Sequence, residues 1–299
     1  MIDNQYKVDY PVTTNFPKLI VGQDDTIESY FRFGCGYADI SKDGRHAWIL
    51  DLYQRNLIIT GKALAIDVPR LPCADEIVKV SGKFIKNDDD FYIWVRDISV
   101  SHNCIANVCA IDLATPAWIF NQTAADDFSV IWHSLGCEYR ELINNVLSDT
   151  DILKCFLSAP GSVKHHDSIT GGCLEHTVLV ARTADAVCKL NAHLNRDLLV
   201  AGAILHDIGK CLEYEKSGYG NWRMTSFGKK IGHKVGGALL ISEAAGKSKL
   251  LDDNKKEDIL HLVTSSYAPS WAGYRYPACA EAHALSAIDR ICANSSVRH

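Results

Sequence analysis

Residues 199–214 read LVAGAILHDIGKCLEY, and this stretch decides how the rest of the chain is read. Residues 199–205 are apolar or glycine throughout, the composition of a helix buried on all sides. They run straight into His206, Asp207 and Lys210. Taking a carboxylate out of water costs several kcal/mol unless something pairs with it. A buried helix that finishes on His-Asp therefore demands a partner for the charge. A metal ion is one such partner, and a salt bridge is another.

At 299 residues the chain has room for one large or two ordinary domains. With 47% hydrophobic and 22% charged residues it has globular composition, with no low-complexity tract and no internal repeat. No apolar run approaches the roughly 20 residues that span a bilayer, so no membrane association is expected. The opening MIDNQYKVDYPV lacks a basic-then-apolar pattern, and no secretory signal is expected. Eleven cysteines are scattered without a CxxC pair, which favours reduced, mostly buried thiols and a cytoplasmic setting. The net charge of −5 excludes a globally basic nucleic-acid binder. A nucleic-acid ligand would need a local basic surface instead.

The chain changes texture along its length. Up to about residue 110, segments such as RHAWILDLY, NLIITGKALAID, DEIVKVSGKFIKN and DFYIWVRDISVS are rich in β-branched and aromatic residues. Turn chemistry in SKDG, VPRLPCAD and KNDDD separates them. Phe91, Ile93 and Val95 alternate with Tyr92, Trp94 and Arg96, which is the period of a strand with one face inward. Four or five such strands predict a small barrel, with an OB-fold as the leading choice. Helical spacing takes over from about residue 116, in SVIWHSLGCEYRELINNVLS, CLEHTVLVARTADAVCKL, KKIGHKVGGALLISEAA, KKEDILHLVTSS and EAHALSAIDRICA. Asp151 is the expected N-cap of ILKCFLSA, which stops at Pro160. The expected organisation is α+β and multidomain: an OB-like β domain with an N-terminal extension over 1–111, a helical connector over 112–150, and a helical bundle over 151–299.

Nine of the twelve histidines fall in the second half of the chain. One histidine inside an apolar helix is usually a satisfied core residue. Several on separate helices, with aspartates at two of those places, point to a metal. The set is His176, His206, Asp207, His233, His261 and Asp289. Imidazole and carboxylate together suit manganese, iron, nickel or zinc, with magnesium kept among the candidates, whereas calcium prefers oxygen ligands. Their spacing is no zinc finger. Facing helices of a bundle can nonetheless project distant ligands into one core.

GGCLEHT, AGAILHDIGK, IGHKVGG and ALSAIDRICA, in that order, resemble the metal-dependent phosphohydrolases of the HD-domain superfamily. The resemblance implies metal ligation by His176, His206, Asp207 and Asp289, with His233 matching the extra histidine of two-metal members. SAPGSVKHHDSITGGCLEHTVLVA is similar to the entry into the HD domain of the YhaM-type 3′→5′ exoribonucleases, which carry an OB-fold ahead of it. YADISKDGRHAWILDL resembles their first strand pair, and DEIVKVSGKF a later strand. The chain departs from that family at one place. Where its members have an adjacent His-His pair, this sequence has Ser266-Tyr267, poor ligands for a divalent ion. The first metal position is complete on this reading. The second, with Asp207, His233 and His261, is depleted.

The resemblance implies hydrolysis of a phosphodiester. Asp207 would bridge toward a second ion and orient water, and Lys210 would grip phosphate or steady the leaving oxygen. A lysine at a helix end is equally well read as a solvated partner of the helix dipole. His165 and His166 precede Gly171-Gly172, whose freedom allows a tight loop, and would contact phosphate or donate a proton. On the barrel, Tyr92, Trp94 and Arg96, with Lys62, Lys79, Ser81 and Lys83, would stack bases and track the backbone of single-stranded RNA or DNA. The first 112 residues carry 12 Lys and Arg against 16 Asp and Glu, a net of −4, so this surface would have to be local. Two further readings stand beside the exonuclease. One is an HD nucleotide phosphohydrolase with a structural β domain. The other is a non-catalytic or relaxase-like protein of nucleic-acid processing. A monomer and a homo-oligomer are both compatible with all three.

Overall fold

The computed structural model describes residues 25–55, 57–87, 90–101, 108–161, 170–218, 221–268 and 273–295. The chain forms two compact units. One comprises the residues up to 52 together with 59–100, and the other 53–58 together with the chain from 101 onward.

Five strands build the first unit: β1 (Thr26–Ile40), β2 (His46–Gln54), β3 (Leu57–Leu64), β4 (Ile77–Asn87) and β5 (Asp90–Val100). They close into a barrel in the order β1-β2-β3-β5-β4. Closure is made by antiparallel pairing of β1 with β4, from Thr26 opposite Lys83 to Arg32 opposite Ile77. β3 and β5 run parallel, with Gly61 opposite Ile93 and Lys62 opposite Trp94. This is an OB-like barrel. The period-two pattern of β5 is realised: Ile93 and Val95 are fully buried, while Tyr92 and Trp94 are half-buried and Arg96 exposed on the outer face. Phe31, Leu50, Leu52, Ile59, Val78 and Val80 complete the barrel core.

The second unit is helical. Its helices are α1 (Gln122–His133), α2 (Cys137–Leu147), α3 (Thr150–Ser158), α4 (Gly172–Leu190), α5 (Arg196–Leu205) and α6 (Lys210–Glu213). A short hairpin of β6 (Tyr214–Lys216) and β7 (Trp222–Met224) follows, and then α7 (Ser226–Lys230), α8 (His233–Lys247), α9 (Asp253–Thr264) and α10 (Ala280–Ser295). Phe128, Trp132 and Leu142 of α1 and α2 share one continuous core with Leu199, Ile204, Ile241 and Leu285. Residues 112–150, expected as a connector, therefore pack as part of the bundle. α1 and α2 also divide a stretch that reads as one helix, because the chain turns over Ser134–Gly136. The N-cap of α3 is Asp149, whose side chain accepts from the amides of Asp151 and Ile152. Asp151, expected as the cap, sits in the first turn, where its charge still favours the helix dipole. α5 is capped by the Asn195 side chain, which accepts from Leu198 N, and every residue from Leu198 to Leu205 is buried.

Glycine is required at one point of the barrel. The β4–β5 register slips between Ser81 and Gly82, and a β-carbon on Gly82 would overlap the Trp94 carbonyl. Gly82→Ala should destabilise the barrel by about 1–3 kcal/mol, the usual cost of forcing atoms into a packed site. Thermal unfolding followed by tryptophan fluorescence should show the loss; an unchanged midpoint would mean that the strand pair shifts freely.

Candidate metal centre

His206 is the C-cap of α5. Its Nδ1 donates to the Ala203 carbonyl at 2.7 Å, which fixes the ring and aims Nε2 at the centre. That Nε2 is buried and, among the described residues, has no hydrogen-bond partner. It lies 3.3 Å from Asp207 Oδ2 and 3.5 Å from Asp289 Oδ1, near enough for charge attraction but aligned for a hydrogen bond with neither. His176 reaches in from α4, its Nε2 3.1 Å from Asp289 Oδ1 and 3.8 Å from Asp207 Oδ2. Asp289 comes from α10, and its side chain is 40% exposed, the open side of the group. The donor atoms of His176, His206 and Asp207 all lie within 4.8 Å of one another.

Donor atoms bound about 2.1 Å from one ion stand about 3.0–3.4 Å apart. The four edges above span 3.1–3.8 Å, so a small inward movement suffices to hold a divalent ion. The orphaned His206 Nε2 is the strongest sign of fit, because a buried nitrogen without a partner is costly unless something is meant to meet it. Nitrogen and carboxylate donors together match a transition-type ion.

In the metal-free protein the cluster is held by charge. Burial pushes His206 toward its neutral form, but Asp207 and Asp289 override this and raise its pKa to about 10. Burial likewise opposes ionisation of Asp207, and His206, Lys210 and His233 win by holding its carboxyl well below the ordinary range. Lys210 is not a solvated helix-end lysine. It is partly buried, with Nζ 2.5 Å from Asp207 Oδ2 and donating to the Gly161 carbonyl at 2.5 Å. Its ammonium therefore orients the Asp207 carboxylate directly.

A second position adjoins the first. His233 opens α8, with Nε2 3.8 Å from Asp207 Oδ1, the oxygen not used by Lys210. Its Nδ1 donates to Glu213 Oε2 at 2.7 Å. A buried carboxylate behind an imidazole is the arrangement that orients metal-binding histidines. Two glycines bring His233 here. Gly232 at φ +84° separates α7 from α8, and a β-carbon on Gly209 would overlap the His233 carbonyl, so the turn after His206-Asp207 and the start of α8 touch backbone to backbone.

The remaining expected residues fall elsewhere. His261 Nε2 accepts from Ala278 N at 2.9 Å and makes no ion pair with Asp207 or Asp289 among the described residues. Its place is loop support rather than the second metal position. Tyr267 turns to His283, its hydroxyl 2.5 Å from Nδ1, and packs edge-on against Tyr276. His165 and His166 lie outside the described residues. On the barrel, Lys62, Trp94 and Lys83 stand side by side across β3, β5 and β4, and Lys62 Nζ sits 4.0 Å above the Tyr92 ring. Glu213 escaped the sequence reading. The one signal available was a glutamate between Leu212 and Tyr214, in a stretch otherwise fit for burial.

Residues 173–294 match the model of the HD domain family, and this span contains all six residues of the expected metal set. The helical unit carries an HD domain. Among curated relatives, the 3′-5′ exoribonucleases YhaM of Bacillus licheniformis and of Shouchella clausii are each 33% identical to the chain over 141 residues. The match covers 46% of this chain and 43% of either relative, so it spans less than half the length of the proteins it matches. The stretch matched to the HD domain family takes in the order His176, His206-Asp207, Asp289 seen across α4, the end of α5 and α10.

An ion at this centre must displace the proton that His206 holds in its absence. Metal affinity should therefore rise by about tenfold per pH unit below the His206 pKa of about 10, with proton release on binding. Calorimetric titration with Mn2+ in buffers of different ionisation enthalpy would read this; a pH-independent affinity would exclude His206 as a ligand. Stability of the metal-free fold runs the other way. The raised pKa of His206 contributes fully below its unfolded value of about 6.5, and the contribution is lost as pH rises through about 10.

Proposed function

We propose that this chain is a metal-dependent phosphodiesterase, acting as a 3′→5′ exonuclease on single-stranded RNA or DNA. The observation that carries this reading is the convergence of His176, His206, Asp207 and Asp289 around an orphaned imidazole nitrogen, inside an HD domain. The name of the two relatives adds the exonuclease direction and favours RNA. The domain division offered is a barrel for strand capture and a helical bundle for hydrolysis.

A divalent ion at the centre would supply Lewis acidity toward a phosphate oxygen and a lowered pKa for the attacking water. The rest falls to the chain. His176 and His206 offer Nε2, with the His206 ring locked from behind by Ala203. Asp207 is kept ionised and oriented by Lys210, and its Oδ1 faces His233. As a base, that carboxylate would accept a hydrogen bond from water and direct it at phosphorus. His165 and His166 are assigned to contact with the scissile phosphate or proton donation to the leaving oxygen. Tyr92 and Trp94 offer ring faces to bases, with Lys62, Lys83 and Arg96 beside them for the backbone.

The alternative is a nucleotide phosphohydrolase with a merely structural barrel, and the net negative charge of the barrel segment is the observation that favours it. Deleting residues 1–110 separates the two. On the exonuclease reading, truncation should depress degradation of a single-stranded oligonucleotide far more than hydrolysis of bis-p-nitrophenyl phosphate. Remote binding energy is gathered by the barrel, whereas the bond is broken in the bundle. Asp207→Ala should abolish both activities. Rates on both substrates with manganese present test this, and an equal loss on both after truncation would favour the nucleotide hydrolase.

A further inference from the structure

Residues 265–279, between α9 and α10, contain no histidine but three tyrosines. Ser266 N donates to the Arg275 carbonyl at 2.9 Å, so the chain leaving α9 and the chain approaching α10 run side by side. Tyr267 and Tyr276 meet edge-on beyond that contact, their ring centroids 4.8 Å apart. Tyr276 remains 61% exposed and Tyr267 39%, which leaves an aromatic surface open to solvent. Two residues of α10, His283 and Arg290, complete it. They are seven positions apart, about two turns along one face of the helix. The His283 ring centroid lies 5.8 Å from that of Tyr267 and 6.3 Å from that of Tyr276. The Arg290 guanidinium lies 5.5 Å from the Tyr267 ring. Two features set this patch apart from ordinary surface. Arg275 and Arg290 are exposed and make no ion pair among the described residues; Arg290 Nε donates only to the Ser286 carbonyl of its own helix, at 3.3 Å. The patch also adjoins the metal centre, because Arg290 follows Asp289 directly and Asp289 is the open side of the ligand group. From His283 to Asp289 the helix advances only about 9 Å.

We propose that this patch is a subsite for the substrate strand beside the metal centre, in which Tyr276 stacks on a nucleobase and Arg290 takes the adjoining phosphate. Stacking on a tyrosine suits any base, since every base has a π face, so the subsite would be tolerant of sequence. A guanidinium without an acidic partner is matched to phosphate, which it meets with two parallel N–H donors. The charge fits a polyanion: the patch offers two unpaired arginines, and its neighbour Asp289 belongs to the ligand set of the ion. The rings are also held in advance. The Tyr267 hydroxyl is 2.5 Å from His283 Nδ1, which fixes the inner ring and leaves Tyr276, the more exposed of the two, as the stacking face. A ring fixed before the strand arrives loses little freedom on binding.

This inference rests on the reading of a single-stranded nucleic acid as substrate, but its test separates from hydrolysis. The full chain is titrated into fluorescein-labelled oligoadenylate, and into an abasic strand of equal length, with EDTA present so that no bond is broken. Fluorescence anisotropy gives Kd. Tyr276→Ala should weaken binding of oligoadenylate by about tenfold and of the abasic strand by less than about twofold, because only the base is lost from the ring. Tyr276→Phe keeps the ring and should stay within about twofold of wild type on both, which guards against a variant that merely misfolds. Arg290→Gln should weaken both strands alike and reduce the slope of log K against log salt by about 0.7, the value of one phosphate contact on a single strand. Unchanged binding in Tyr276→Ala would overturn the proposal. So would an equal loss on both strands, which would make Tyr276 a support of the loop, and so would a wild type that binds neither strand, which would leave the rings to a protein partner. If the base-dependent loss is seen in a chain that cleaves no phosphodiester, the subsite stands and the hydrolase reading fails. If wild type degrades the oligonucleotide and Tyr276→Ala binds it as tightly, the subsite alone fails.

Discussion

One buried carboxylate governs the helical unit. Asp207 presents Oδ2 to His206 at 3.3 Å and to Lys210 at 2.5 Å, and Oδ1 to His233 at 3.8 Å. Its position inside a bundle core is tolerable only because cationic groups from three elements surround it. Each of those groups is tied to something else in turn: His206 to Ala203, Lys210 to Gly161, His233 to Glu213. The arrangement is a lattice of charge-assisted contacts with Asp207 at its node. Removing the node would leave His206, Lys210 and His233 each with its second tie but without the carboxylate they share, a larger disturbance than the loss of one ligand.

The scaffold delivers these groups by close backbone approach rather than by long side chains. Gly209 lets the turn after α5 touch the start of α8, and Gly171 at φ +86° starts α4 so that His176 arrives about one turn into the helix. A helix terminus is also a favourable place for such groups, because its last carbonyls lack internal partners and its dipole favours positive charge. His206 and Lys234 both exploit an end of this kind, at α5 and α9 respectively. Packing and chemistry are therefore coupled. The fully buried Leu199, Val200 and Ala203 of α5 set where His206 emerges, so a cavity among them would loosen the metal ligands as well as the fold.

Much of this organisation is legible in the amino-acid sequence alone. Strand alternation around Ile93 and Val95 and the apolar run ahead of His206 are strong local signals, because burial imposes period two on a strand and continuous apolarity on an enclosed helix. The order of the candidate ligands on separate helices is legible through a different signal, the resemblance of GGCLEHT, AGAILHDIGK, IGHKVGG and ALSAIDRICA to the HD-domain superfamily. The relations that escape a sequence are those created only by tertiary packing. His261 has the spacing of a ligand, yet a loop amide claims its lone pair. Lys210 has the position of a solvated helix-end residue, yet the Gly161 carbonyl draws it inward. Glu213 carries no pattern at all, and its role exists only because α8 folds back over it. The N-cap of α3 falls on Asp149 rather than on Asp151, two residues later, since either aspartate satisfies the local rule and only the chain direction chooses between them.

The formal charges around the centre give a reason for its composition. Asp207, Asp289 and Glu213 bring three negative charges, and Lys210 and Lys234 bring two positive ones, so 2 − 3 leaves −1 with the imidazoles neutral. A single divalent ion would turn this to +1, and two would leave +3, an excess that a largely buried cluster with three carboxylates meets only at a cost. The imidazoles of His176, His206 and His233 add donor atoms without adding charge when neutral, so the carboxylates set how much positive charge the cluster can hold.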